Sequence, residues 1–125
     1  MATERILKGP GSEAPVEAGF KRWLTETGWQ VIEDHGTWAD VVADKGDERL
    51  VAEVKGYNSS IGTDVDTMYG QLLRRMEPGA ATTYALVVPT LSLTAVLRVP
   101  IDVRRGLGIR VFEVQDDDTV VEHFV

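Results

Sequence analysis

Two apolar runs separated by a short turn constrain the fold of this chain more than any other feature. Residues Trp38–Asp44 and Glu48–Lys55 both have strand-forming sequences, and the Lys-Gly-Asp stretch between them is typical of a β-hairpin. If the hairpin closes through the two-residue loop Gly46-Asp47, counting back along both strands places Asp40 opposite Glu53. A loop of three or four residues would shift this pairing.

The hairpin predicts a group of charged side chains on one strand face. Because side chains alternate along a strand, Glu53 and Lys55 project from the same face in either register. In the two-residue register, Asp40 and Glu53 would have Cβ atoms about 5 Å apart, which is unfavourable for like charges. A divalent cation would compensate this repulsion, since Mg²⁺ prefers carboxylate oxygens, and the Lys55 ammonium would lie beside it. The plainer alternative is an exposed strand face on which Lys55 forms a salt bridge with Glu53.

The rest of the sequence predicts helices on both sides of this hairpin and further strands after it. Helical spacing of apolar residues predicts one helix over Ser12–Thr27 and a second that is capped by Asp64 and ended by Pro78-Gly79, with a loop over residues 56–63. Further predicted elements are strands at Trp29–Asp34, Thr82–Val88, Ile109–Val114 and Thr119–Val125, and a short helix within Thr90–Leu97. We therefore expect an α/β (mixed α+β) fold with the core order αβββαβ and a central mixed β-sheet flanked by helices.

Length and composition are those of an ordinary globular domain. The 125 residues suffice for one domain, which we assign to residues 12–125 after a flexible tail over residues 1–11. The chain contains no cysteine, so disulfides and thiolate metal sites are excluded. It has no signal-peptide pattern and no apolar run long enough to cross a membrane, and we expect a cytoplasmic protein without membrane contact.

Charge is distributed unevenly along the chain. The formal net charge of −7 counts against a simple nucleic-acid-binding protein. Five acidic residues fall within the last thirteen positions, and we expect that segment to lie away from any nucleic-acid groove. Between Arg74 and Arg110 the balance reverses, so a basic surface is compatible with the acidic total.

An aspartate followed by an E-x-K string at this spacing resembles a known nuclease motif. Asp40, a gap of twelve residues and then Glu53-Val54-Lys55-Gly56 resemble the PD-(D/E)XK, or restriction-endonuclease-like, superfamily, and the element order over residues 12–89 is similar too. The resemblance implies a restriction-endonuclease-like fold in which Asp40 and Glu53 bind a metal ion. It further implies that the Val54 carbonyl is an additional metal ligand and that Lys55 is the catalytic lysine.

The same resemblance implies two further catalytic residues, and a departure from the pattern argues against one subtype. Many members carry a glutamate on the first helix, and Glu17 occupies that place, although a solvated helix residue is an equally good interpretation. Some members place a glutamine on the second helix beside the lysine, which Gln71 matches. Ala39 replaces the proline of the family's name, and Arg75 stands where RecB-like exonucleases have a tyrosine, which argues against that subtype.

These features predict a Mg²⁺- or Mn²⁺-dependent DNA endonuclease. Because the chain is nearly all catalytic core, the expected enzyme is a homodimer with one site per strand, in a junction-resolvase-like, repair or defence role. The rival is a catalytically silent member of the same fold that serves as a nucleic-acid-binding or assembly module, with a protein partner in a larger complex. Candidate nucleic-acid contacts are Tyr57, Asn58, Ser59, Ser60, Arg74, Arg75, Arg104 and Arg105.

Overall fold

A computed structural model describes residues 13–57, 61–77 and 81–125. The strands are β1 (Gln30–Ile32), β2 (Val41–Lys45), β3 (Glu48–Val54), β4 (Thr82–Pro89), β5 (Ile109–Val114) and β6 (Val120–His123). The helices are α1 (Ala14–Glu26), α2 (Ile61–Arg75), α3 (Leu93–Val96) and α4 (Ile101–Leu107), with a 3₁₀ turn at Thr90–Ser92. No helix in these ranges is long and apolar enough to cross a membrane.

All six strands form one mixed sheet in the order β1-β2-β3-β4-β5-β6. Strands β3, β4 and β5 run parallel to one another, and the other neighbouring pairs are antiparallel. A mixed sheet with helices on both sides, in the order αβββαβ, was expected from the sequence, and this class is confirmed.

Each face of the sheet packs against a different helix. Phe20 of α1 lies in one core with Val54 of β3, whereas Met68 of α2 lies in a second core with Leu86 of β4. Because side chains alternate along β3, Glu53 faces the α2 side of the sheet. The Glu53 side chain of the predicted site therefore lies on the face of the sheet that packs against α2.

The β2–β3 hairpin has the predicted register. Lys45 pairs with Glu48 across a two-residue loop whose glycine takes a φ of +61°. The ladder ends one pair earlier than predicted, because the backbone N–H of Asp40 donates to the carbonyl of Ala52 at 3.1 Å. Asp40 thus lies just before β2, and its expected cross-strand pairing with Glu53 is not formed.

Other boundaries shift by a few residues. α1 ends as predicted at a glycine with positive φ, Gly28 at +95°, where a left-handed residue caps the helix. α2 already includes Ile61, so Asp64 lies in its first turn instead of at its cap, and residues 61–63 of the predicted loop are helical. The predicted tail over residues 1–11, and Ser12, lie outside the described residues.

Arg104 is part of the protein interior and does not contribute to a basic surface. Its residue is only 1% exposed. The Nε atom donates to the carbonyl of Val99 at 2.9 Å, and Nη2 donates to the main-chain oxygen of Val125. The predicted phosphate contact by Arg104 is therefore wrong, because the guanidinium is already used to tie α4 to neighbouring backbone.

We expect Arg104→Leu to lower the free energy of unfolding by about 2–3 kcal/mol, since two main-chain oxygens lose their charged donor in partly buried hydrogen bonds. The neighbouring Arg105→Leu removes the same charge from an exposed position of α4. It is expected to change stability by less than about 0.5 kcal/mol. Urea denaturation of both variants makes the comparison, and equal losses would contradict a structural role for Arg104.

Candidate active site at the carboxyl edge of the sheet

The carboxyl ends of β3, β4 and β5 lie at one edge of the sheet, because these strands are parallel. Val54, Val87 and Phe112 are level with one another in the three strands. The chain leaves β3 at Lys55 and β5 at Gln115, so both following segments start at this carboxyl edge. Ligand sites of open sheets that contain parallel strands are commonly found at such an edge.

Asp40 is fixed at the carboxyl edge by the backbone of β3. Its Oδ2 atom accepts a hydrogen bond of 2.8 Å from the backbone N–H of Val54. The Asp40 side chain thus bonds to β3 just beyond the last backbone pair of the β2–β3 ladder, Val41–Ala52. Burial and then the nearby Glu17 carboxylate raise the pKa of Asp40, against the opposing effects of the Val54 N–H, Lys55 and Arg75. A bound cation stabilises the ionised form of such a half-buried carboxylate.

Glu53 is the most deeply buried carboxylate of the site, with its residue 7% exposed. Oε1 lies 3.8 Å from Nη1 of Arg75, whose guanidinium stands 5.0 Å from the ring centroid of Trp38. Oε2 is buried and has no hydrogen-bond partner among the described residues. Burial and then the charge of Asp40 raise the pKa of Glu53 to about 7. Such an oxygen needs a ligand that the described residues do not supply.

Lys55 follows Glu53 by two residues and lies directly beyond the end of β3. Its positive charge lowers the pKa of three carboxyls, Glu13, Asp40 and Glu53, so the ammonium acts electrostatically on all of them. No carboxylate of the described residues is within salt-bridge distance of Lys55. The plainer alternative, a salt bridge between Lys55 and Glu53, is therefore not observed. Arg75 is the cation that is paired with Glu53.

The first helix and its N-cap residue each contribute a glutamate to this region. Glu17 forms an ion pair of 3.1 Å with Lys21, and its charge raises the pKa of Asp40, so it lies toward the site. Sequence reasoning missed Glu13, whose pKa is raised by burial and then by the Asp40 carboxylate. Its position four residues before Glu17, on the same helical face, was the signal that could have found it.

The second helix reaches the site through Arg75. Gln71 precedes Arg75 by four residues and therefore lies on the same face of α2, one turn away. Gln71 is partly buried, and the described residues give it no hydrogen bond. Asp64, in the first turn, has a buried Oδ2 without a hydrogen-bond partner in the same part of the chain. The predicted catalytic role of Gln71 stays a prediction.

The residues predicted to contact nucleic acid do not form one surface. Tyr57 packs against the α1 core, and its hydroxyl donates to Oδ1 of Asp116 at 3.0 Å. Arg74 is exposed at the end of α2, and Arg75 is engaged by Glu53. Arg105 lies with Thr83 at a cavity beside the amino ends of β4 and β5, the opposite sheet edge, so it does not extend the surface of α2 as expected. Asn58, Ser59 and Ser60 lie outside the described residues.

The acidic turn after β5 lies at the carboxyl edge, whereas Glu122 of the same acidic segment pairs with Arg110 near the other end of β5. The expectation that the segment lies away from a nucleic-acid groove stays a prediction. Asp116 contacts Tyr57, two residues beyond Lys55, and Asp118 forms an ion pair of 3.2 Å with Arg22 of α1. The reason is topological. β5 is parallel to β3, so the turn after β5 emerges beside the end of β3.

The residues present supply the oxygen ligands that a hard cation prefers, but the described side chains alone are too few to complete its coordination. Within the described ranges, no three or more His, Cys, Asp or Glu side chains are grouped to hold a metal ion by themselves. Asp40 lies just before β2 and Glu53 lies within β3, and each has one oxygen engaged by the protein. Two carboxylates and a backbone carbonyl suffice for Mg²⁺, which keeps several waters. The unpartnered Oε2 of Glu53 fits such an ion.

Comparison with family models, with curated proteins and with solved structures finds no match to this chain.

Proposed function

We propose that this protein is a metal-dependent nuclease of the PD-(D/E)XK type that hydrolyses phosphodiester bonds in DNA. The observation that carries the proposal is the buried Glu53 with its unpartnered Oε2, next to Asp40 and close to the Lys55 ammonium. A buried, partly uncompensated carboxylate pair beside a lysine costs stability and is expected where a site has a function. The E-x-K string and the order of the elements add the resemblance to this superfamily.

The proposed cofactor is Mg²⁺ or Mn²⁺, held by the carboxylates of Asp40 and Glu53 and by the Val54 carbonyl. A bound divalent cation of this kind lowers the pKa of water and neutralises charge on a phosphate. The backbone N–H of Val54 orients Asp40 by holding its Oδ2, which leaves Oδ1 for the cation. Outer contacts of this type commonly fix metal-binding carboxylates.

Lys55 and Glu17 act on the substrate and on water in this proposal. The Lys55 ammonium, without an ion pair in the described residues, stabilises the negative charge that develops on the attacked phosphate. Glu17, close to Asp40, accepts a hydrogen bond from the attacking water and orients it. Gln71 extends the same surface along α2. A homodimer would place two such sites on the two DNA strands.

A second candidate function is a non-catalytic nucleic-acid-binding or assembly module of the same fold. The observation that favours it is the acidic turn after β5, which brings Asp116 to within 3.0 Å of Tyr57 at the carboxyl edge. Negative charge there opposes the approach of a phosphate backbone. The net charge of −7 acts in the same direction.

Cleavage assays separate the two functions. Supercoiled, linear, branched and single-stranded DNA, together with an RNA of the same sequence, are incubated with Mg²⁺ or Mn²⁺ and with a chelator control. The nuclease proposal predicts chelator-sensitive cleavage of at least one DNA. Binding without cleavage of any substrate would support the module instead, and the mass of the complex in solution would report whether two chains assemble.

If DNA approaches the carboxyl edge, neutralising the acidic turn should strengthen binding. Asp116→Asn retains an oxygen that can accept the Tyr57 hydroxyl, so it removes a charge with little change in structure. We expect about two- to threefold tighter binding to DNA in low salt with Ca²⁺ present, and a smaller effect at high salt. Asp47→Asn, in the β2–β3 loop at the other end of the hairpin, is the matched control. Equal effects of the two changes would place the DNA elsewhere.

A further inference from the structure

Arg75 connects the carboxylate of Glu53 with the indole ring of Trp38. Nη1 of Arg75 lies 3.8 Å from Oε1 of Glu53, and the guanidinium carbon stands 5.0 Å from the centroid of the Trp38 ring. Among the described residues, Arg75 is the only cation within salt-bridge distance of Glu53. Trp38 holds the arginine at the edge of the site by a cation–π contact.

The Arg75–Glu53 contact is an ion pair without a hydrogen bond. At 3.8 Å the two atoms are too far apart for a directional hydrogen bond, so the attraction is mainly that of opposite charges. The Glu53 side chain is 9% exposed, and in such surroundings a carboxylate needs a compensating charge. Arg75 supplies that charge without fixing the orientation of the carboxylate. Another cation can therefore replace it at Glu53 without breaking a hydrogen bond.

We propose that Arg75 is the resident counter-ion of Glu53, which a divalent cation displaces when it binds to this carboxylate. The inference rests on the proposed function, because it takes Glu53 as a cation ligand. It adds that Arg75 already neutralises part of the negative charge of the metal-free site, so a cation must compete with Arg75 for Glu53.

The surroundings of Arg75 support an exchange of partners. The other oxygen of Glu53, Oε2, is buried and unpartnered, so a cation can bind there while Arg75 still faces Oε1. Two positive charges at one carboxylate repel each other, and the guanidinium, whose contact with the carboxylate is long, is the one that moves. Trp38 gives it a second partner on which to remain, and the arginine then faces outward from the site. Arg75 is thus a positioning residue that sets how tightly the cation binds.

Calorimetric titration of the full chain with Mn²⁺ at pH 8 tests this competition above the pKa of about 7 that Glu53 has with Arg75 in place. Arg75→Gln should bind Mn²⁺ about three- to tenfold more tightly than the wild type, because a nearby positive charge is removed. Arg75→Lys keeps the charge and should restore affinity to within about twofold of the wild type. Arg74→Gln is the matched control, being the same change at an exposed neighbour, and should leave the affinity unaltered.

Tryptophan fluorescence gives a second readout that does not depend on affinity. Mg²⁺ should change the emission of the wild type as Arg75 loses its partner, and the change should be absent in Trp38→Phe and in Arg75→Gln. Equal or weaker Mn²⁺ binding by Arg75→Gln, while the wild type still binds, would overturn the counter-ion role and leave the proposed function standing. Absence of Mn²⁺ binding in the wild type and in Arg75→Gln alike would overturn both.

Discussion

Asp40→Asn, Glu53→Gln and Lys55→Met are each expected to lower the rate of DNA cleavage by at least about 10²-fold, the loss typical for one group that stabilises charge in a transition state. The two carboxylate changes remove cation ligands at nearly constant shape. Lys55→Met removes the ammonium that the described residues leave without an ion pair. Initial rates on the best DNA substrate, at saturating Mg²⁺, measure the effect.

The same hairpin offers a control for each of these substitutions. Asp44→Asn, Glu48→Gln and Lys45→Met make identical chemical changes at the loop end of β2 and β3. Asp44 pairs with Arg49 at 2.8 Å, and Lys45 donates to the carbonyl of Thr27, so these residues serve local contacts. They should retain cleavage within about threefold, because nothing in the proposed chemistry involves that end. Full activity in a folded Glu53→Gln or Lys55→Met protein would remove that residue from the mechanism.

The hairpin register could be predicted because local chemistry determines it. A glycine with positive φ and an aspartate form the loop, and the loop length then fixes every pair from Lys45–Glu48 to Val41–Ala52. The proximity of Asp40 to Glu53 followed from this register, although the pairing that was expected between them is replaced by a hydrogen bond from Val54 to the Asp40 side chain. A strand pattern cannot show that a side chain takes over the last position of the ladder.

The remaining features depend on contacts between distant parts of the chain. Arg75 and Glu53 are brought together only when α2 packs on the sheet, and the burial of Arg104 depends on how α4 lies near the end of β6. The position of the acidic turn depends on the parallel pairing of β4 and β5. A count of arginines and acids along the sequence carries no information about any of these arrangements. The basic region predicted between Arg74 and Arg110 is accordingly divided between two edges of the sheet.

The protein is expected to be less stable at alkaline than at mildly acidic pH when cations are removed by a chelator. Glu53 has a pKa of about 7 in the folded chain, compared with 4.5 for an ordinary glutamate. Between these two values the folded carboxyl keeps a proton that the unfolded one releases, so stability falls as pH rises through the window. The wild type should thus lose about 2 kcal/mol of unfolding free energy, relative to Glu53→Gln, between pH 5.5 and pH 8.

Comparison with Glu53→Gln is needed because other groups titrate in the same range, and subtracting the two unfolding curves cancels them. The raised pKa of Asp40 contributes in the same direction, so Asp40→Asn in chelator should also be neutral or stabilising at pH 8. Addition of Mg²⁺ at pH 8 should make the wild type more stable than Glu53→Gln and Asp40→Asn. A cation that binds only the folded, ionised carboxylates stabilises the wild type at pH 8 by mass action and gives Glu53→Gln and Asp40→Asn little gain. An equal rise in melting temperature for all three proteins would place the cation at a different site. If the stability of the wild type followed that of Glu53→Gln at every pH, burial would not be what raises the pKa of Glu53.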